Sequence, residues 1–134
     1  MHLTKAHIPA IGWTLLIASS CLLPASVFQD FNFTLFELDK LIHLILYFTF
    51  VILWAISAGE IFTHKKKIKL AAVSIGYGIL IEILQSVMSL GRSYDFDDII
   101  ANIAGCILGV CCISFMQRKM PLLKNRLPFL RNLY

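Results

Sequence analysis

A scattered set of polar residues interrupts a chain otherwise dominated by Leu, Ile, Phe and Ala: Asp39, Lys40, His43, Glu82, Gln85, Arg92, Asp95, Asp98 and Asn102. Their types suit several chemistries. His43 or Glu82 could serve as general acid or base while Lys40 and Arg92 hold an anionic group such as a phosphate. Asp39, His43, Glu82, Asp95 and Asp98 supply oxygen and nitrogen donors for a hard divalent cation such as Mg2+ or Ca2+. The chain has no HExxH-type spacing, so the expectation is no resident cofactor, with a divalent cation kept as the alternative. Ser86, Ser89 and Ser93 lie nearby, but nothing in their surroundings marks one as an activated nucleophile.

The elements that must position these residues are apolar. Of 134 residues, 58% are hydrophobic and 15% charged, against roughly a quarter charged in a soluble domain. The mean hydropathy is +0.78. This is the composition of one integral membrane domain, all-α, and no appended soluble domain is expected. Four apolar runs approach the ~20 residues that cross a bilayer as a helix: about 8–27, 41–61, 70–90 and 98–116. A polar connector over 29–40 carries Asp30, Glu37 and Asp39, and a tight basic loop carries His64, Lys65, Lys66, Lys67 and Lys69. A basic tail over 117–134 follows, in which Pro121 and Pro128 should limit any continuous helix. The first run, with Lys5 ahead of it and Cys21 after Ala18-Ser19-Ser20, also has a signal-peptide reading with Cys21 as an acylated residue. The missing large aliphatic residue at Ala18 argues for a span instead.

Charge orients the spans. The net charge is +4, and the basic residues gather beside apolar segments, which speaks for membrane topology rather than nucleic acid. With four spans, Lys5, the lysines of the middle loop, Arg118, Lys119, Lys124, Arg126 and Arg131 share one face. Both termini are then cytoplasmic. The opposite face, with Asp30, Glu37, Asp39, Asp95, Asp97 and Asp98 against Lys40 and Arg92, lies outside.

That topology makes distant residues neighbours. Asp39, His43 and Tyr47 share a stripe at i, i+4, i+8; Glu82 and Gln85 share one at i, i+3; Asp98 and Asn102 start another that continues as Gly105, Gly109 and Cys112. Glu82 sits on the order of 12 Å below Leu90. A carboxylate at that depth costs several kcal/mol unless paired, hydrogen-bonded or protonated. Two readings follow: a structural polar network that fixes helix order, or a polar pocket, open outward, that receives a charged or hydrogen-bonding headgroup.

The run DKLIHLILYF, then E-x-x-Q, then G-R-S-x-D and D-x-x-x-N with G-x-x-x-G, together resemble the VanZ-like family of small bacterial membrane proteins. That family's pattern is Asp-Lys-x-x-His, Glu-x-x-Gln, and an Arg-x-x-Asp, Asp-x-x-x-Asn segment. The likeness extends from about Leu22-Leu23-Pro24 to Gly109, and the matching positions are Asp39, Lys40, His43, Glu82, Gln85, Arg92, Asp95, Asp98 and Asn102. It implies a cell-envelope protein of the bacterial inner or cytoplasmic membrane, since the founding member confers resistance to the glycopeptide teicoplanin. It supplies no mechanism.

The remaining features take plainer roles. Gly105 and Gly109 permit close helix packing, inside the chain rather than between chains. Cys21, Cys106, Cys111 and Cys112 read as small buried residues, not disulfides. The lysine cluster is a topology signal, with anionic-lipid binding as the alternative. The tail over 122–134 is suited to lie along the inner membrane surface. His2, His7 and His64 have no partner spacing. The expected function is recognition or remodelling of a lipid or lipid-linked envelope component, such as a cell-wall precursor. The competing reading is a membrane hydrolase or transferase using His43 and Glu82 on a lipid-linked anionic headgroup. Oligomeric state is left open.

Overall fold

The computed structural model describes residues 5–23, 35–59, 61–88 and 95–126, and among these the chain is helical with no strand. Arg92, Ser89, Ser93, Asp30, Glu60, Pro128, Arg131 and His2 fall outside the described residues. A single 3-10 turn, Lys5–His7, leads into α1, Ile8–Cys21, with Pro9 in the first turn where its missing N–H is harmless. Helices α2 (Leu35–Ser57), α3 (His64–Val87) and α4 (Phe96–Arg126) complete the bundle.

Three of these helices are long and apolar enough to cross a bilayer: α2 over Leu38–Ser57, α3 over His64–Val87 and α4 over Phe96–Lys119. The first is not. With 14 residues α1 rises about 21 Å, short of the ~30 Å of hydrocarbon. Residues 24–27 of the expected 8–27 span lie outside the described residues, and among the described residues there are four helices, three of them long and apolar enough to span.

Helix ends also shift from the sequence expectation, each for a local reason. α2 starts ahead of Leu41 and closes at Ser57 rather than Ile61, where Gly59 takes a left-handed φ of 62° and its N–H bonds the Ile56 carbonyl at 3.1 Å. The lysines expected in a loop are instead the first turns of α3. Thr63 caps that helix, its hydroxyl accepting from the Lys66 N–H at 3.4 Å, and lysine is itself a good helix former. α4 does not stop at Met116; it runs through Pro121 to Arg126. The Lys, Leu and Met residues around that proline favour helix strongly enough to carry the chain past the lost hydrogen bond.

The helices alternate in direction. Lys40 near the start of α2 meets Asp95, Asp97 and Asp98 at the start of α4, and Gln85 near the end of α3 reaches Cys21 at the end of α1. At the other end Lys67 of α3 donates to Ser114 of α4 at 2.9 Å. α2 and α4 form the closest pair. A Cβ on Gly105 would fall on the Leu44 carbonyl oxygen, and one on Gly109 would lie 2.8 Å from the Val51 side chain, so only glycine allows this approach.

The core holds Ile17, Tyr47, Phe50, Val51, Ile81, Cys106 and Ile113. Phe50 stacks on Tyr77 at 5.3 Å and 8°. The short first helix is pinned largely by hydrogen bonds. Trp13 donates to the Leu46 carbonyl at 3.0 Å, Trp54 to the Thr14 hydroxyl at 3.2 Å, and Tyr77 to the Thr14 carbonyl at 2.8 Å. His7, given no role by the sequence, is buried edge-on to Trp54. Of the cysteines, all free, Cys21 and Cys106 are buried but Cys111 is exposed, against the expectation of uniform burial. Outward faces carry Ile42, Val73 and Ile107, as suits lipid contact.

Candidate functional site

The site begins with the way α4 starts. Asp95 precedes the first helical residue, and its Oδ1 accepts the Asp97 N–H at 2.8 Å, an N-cap that satisfies one orphan donor. Asp97 and Asp98 then stand in the first turn, favourable beside the helix's positive end. Lys40 crosses from α2 and spreads over all three: 3.0 Å to Asp95 Oδ2, 3.5 Å to Asp98 Oδ1 and 3.9 Å to Asp97 Oδ2. The Lys40 hydrogen bond, helped by the Asp97 N–H, holds the Asp95 carboxyl below its ordinary range.

One turn deeper the cluster becomes buried. His43 follows Lys40 on α2, and its side chain is 3% exposed. Its Nδ1 lies 3.1 Å from Asn102 Oδ1 on α4 and 3.8 Å from Glu82 Oε1 on α3. Its Nε2 faces the other way, 3.9 Å from Asp39 Oδ1 and 4.0 Å from Asp98 Oδ2. Which atom donates across the 3.1 Å contact depends on the ring's tautomer and on the orientation of the Asn102 amide. Nε2 faces two carboxylates in either case.

Beneath His43 lie Glu82, Asn102 and Tyr47, all nearly fully buried. The Tyr47 hydroxyl and the Asn102 amide nitrogen have no hydrogen-bond partner among the described residues. Both side chains flank Gly78, where a Cβ would come within 3.1 Å of the Tyr47 ring and 3.3 Å of the Asn102 nitrogen. Glycine there keeps room beside two polar groups whose bonds are unmet.

The structure thus brings Asp39, Lys40, His43, Glu82, Asp95, Asp98 and Asn102 of the sequence set into one group. Gln85 is buried but faces elsewhere, donating to the Cys21 carbonyl at 2.6 Å and so tying α3 to α1. Arg92 lies outside the described residues. Tyr47 was on the predicted stripe with Asp39 and His43, yet an aromatic in an apolar run reads as core, and only its unmet hydroxyl marks it. The cluster reaches the surface at a rim of Asp39, Asp95 and Asp97, whose side chains are 41%, 33% and 56% exposed. A cavity of about 490 Å³ opens at the opposite end of the bundle, between α3 and α4, beside His64, Lys67, Ile68, Ser114 and Arg118.

The family profile described as VanZ/LLP1 matches residues 6–117. No curated protein and no solved structure gives a match.

Proposed function

The chain belongs to the VanZ-like family, and from that premise we propose that this multi-pass membrane protein works in the bacterial cell envelope, binding or remodelling a lipid or lipid-linked component through the His43 cluster. The observation that carries the reading is the Tyr47 hydroxyl, buried without a hydrogen-bond partner among the described residues. A purely structural network would close on itself, because a buried polar group without a partner costs on the order of 1–3 kcal/mol. A buried hydroxyl of this kind beside a cluster of ionisable groups supports a binding role for the cluster.

The placement of charge supports an outward-facing mouth. Lys65, Lys66, Lys67, Lys69, Arg118 and Lys119 belong to the end of the bundle away from the cluster, and basic residues mark the cytoplasmic side. The rim at Asp39, Lys40, Asp95 and Asp97 then meets the outer headgroup layer. A hydroxyl-bearing, amide or phosphate headgroup matches its mixture of carboxylates and ammonium.

A catalytic version of this reading has its own support. His43 is held at Nδ1 by Asn102 and turns Nε2 toward the rim, the arrangement of a base with an oriented ring. Glu82, at 3.8 Å from Nδ1, would tune the ring from behind and not touch the substrate.

Mass spectrometry of lipid co-purifying with the protein tests the proposal. The wild type is expected to retain a defined lipid species that Arg92→Ala and His43→Ala lose while remaining folded and inserted. Identical lipid profiles in all three would overturn it. If the ligand is a cell-wall precursor, glycopeptide susceptibility should follow the same order.

A further inference from the structure

We infer that Asp39, His43 and Asp98 form a binding site for a divalent cation of the Mn2+ or Zn2+ class at the mouth of the cluster. One ligand atom from each of the three lies within 4.8 Å of the other two. The His43 Nε2 contacts, 3.9 Å to Asp39 and 4.0 Å to Asp98, are too long for hydrogen bonds. Three potential ligand atoms thus converge at separations longer than a hydrogen bond. Metal–ligand bonds of about 2.0–2.2 Å place donor atoms roughly 3–4 Å apart, so a small inward turn of the exposed Asp39 carboxylate closes the set.

The second, independent observation is His43 itself. The side chain is 3% exposed, and Nε2 makes no hydrogen bond among the described residues. Asn102 holds the ring at Nδ1, 3.1 Å away, so that Nε2 faces the gap between Asp39 and Asp98. An imidazole oriented from behind by a side-chain partner is the usual support of a metal-ligating histidine. Asp98 is arranged to match: Oδ1 faces Lys40 at 3.5 Å and Oδ2 faces His43. Each carboxylate oxygen has a separate task.

The imidazole nitrogen favours a transition-type ion over Mg2+ or Ca2+, which prefer oxygen alone. Charge favours occupancy. Asp39, Asp95, Asp97 and Asp98 crowd the described rim around Lys40, and a bound cation offsets that excess. The same cation would let an acidic rim accept an anionic headgroup. That last step rests on the headgroup reading; cation binding does not.

The test uses the purified full-length protein in detergent, stripped with chelator and titrated with Mn2+, followed by electron paramagnetic resonance. One saturable Mn2+ per chain is expected, with modulation of the spin echo by a directly bound nitrogen. His43→Gln should abolish the nitrogen signal, and Asp39→Asn should weaken binding by at least ~10-fold. Lys65→Ala, exposed at the opposite end of the bundle, should bind within about three-fold of wild type. Absence of saturable binding, or a nitrogen signal that survives His43→Gln, overturns the assignment. Asp39 is exposed, so Asp39→Asn and the wild-type echo remain decisive if His43→Gln fails to fold. Phosphorus analysis of the same samples separates the two claims: lipid lost with Mn2+ retained sinks the headgroup reading alone, and Mn2+ lost with lipid retained sinks the cation site alone.

Discussion

Asp95 links the surface of this protein to its interior. It caps α4, and it is the nearest partner of Lys40. Its carboxyl is held below the ordinary range chiefly by the Lys40 hydrogen bond, so the pairing stabilises the fold fully above the ordinary carboxylate value near 4. That contribution is lost as pH falls through the depressed value. Lys40, Asp97, Asp98 and His43 face the same point and share in the response. Asp95→Asn should therefore flatten the acid side of the stability profile, read as thermal unfolding in detergent between about pH 5 and pH 3. An unchanged profile would mean that the pair contributes nothing measurable, as exposed ion pairs often do. The polar residues of this cluster were legible in the sequence because ionisable groups are costly in apolar runs. Their individual duties were less so. Gln85 shares a stripe with Glu82 but bonds Cys21 of α1, and nothing in the spacing encodes which neighbour lies beside α3. Tyr47 and His7 were hidden by their own chemistry, since a buried ring looks like core until its hydrogen bonds are counted.

Among the helices, α2 and α4 are bound by shape. Lipid tails are as apolar as leucine, so packing rather than hydrophobic expulsion joins them. Gly105→Ala and Gly109→Ala should each destabilise the protein by about 1–3 kcal/mol, because the added methyl meets the Leu44 carbonyl or the Val51 side chain. Gly76→Ala, on the same helical principle but with nothing within 4 Å, should be neutral or stabilising by up to ~1 kcal/mol. Denaturant titration in mixed micelles followed by circular dichroism distinguishes the three; equal effects would show that the contact is not tight. The helical class and the apolar runs were readable from hydropathy. The boundaries were not, because hydropathy reports burial in lipid and the backbone answers to capping and propensity. Thr63 starts α3 among lysines that hydropathy assigns to a loop, and α4 continues through Pro121 after its apolar stretch has ended.

For the whole molecule, orientation is the quantity that the charges predict. Ser93→Cys and Lys66→Cys, each in a chain whose native cysteines are replaced, should react with a membrane-impermeant maleimide from opposite sides of sealed cells, Ser93→Cys from outside. Labelling of both from outside would overturn the cytoplasmic placement of the basic end. The short α1 was the least legible element. Its apolar run matches the length of a span, whereas the described helix stops after 14 residues, and its attachments are indole, phenol and amide donors on other helices that no local pattern reveals.

The glycine seam has a mechanical consequence. Clamped at Gly105 and Gly109, α2 and α4 form one strut whose longer member carries a 24-residue apolar stretch, about 36 Å long against ~30 Å of hydrocarbon. A strut of this kind answers a thinner bilayer by leaning as a unit, not by sliding one helix along the other. His43 and Asp98 ride on its two halves, so bilayer thickness sets the angle at which the mouth of the cluster meets the headgroup layer while leaving the spacing within the cluster unchanged.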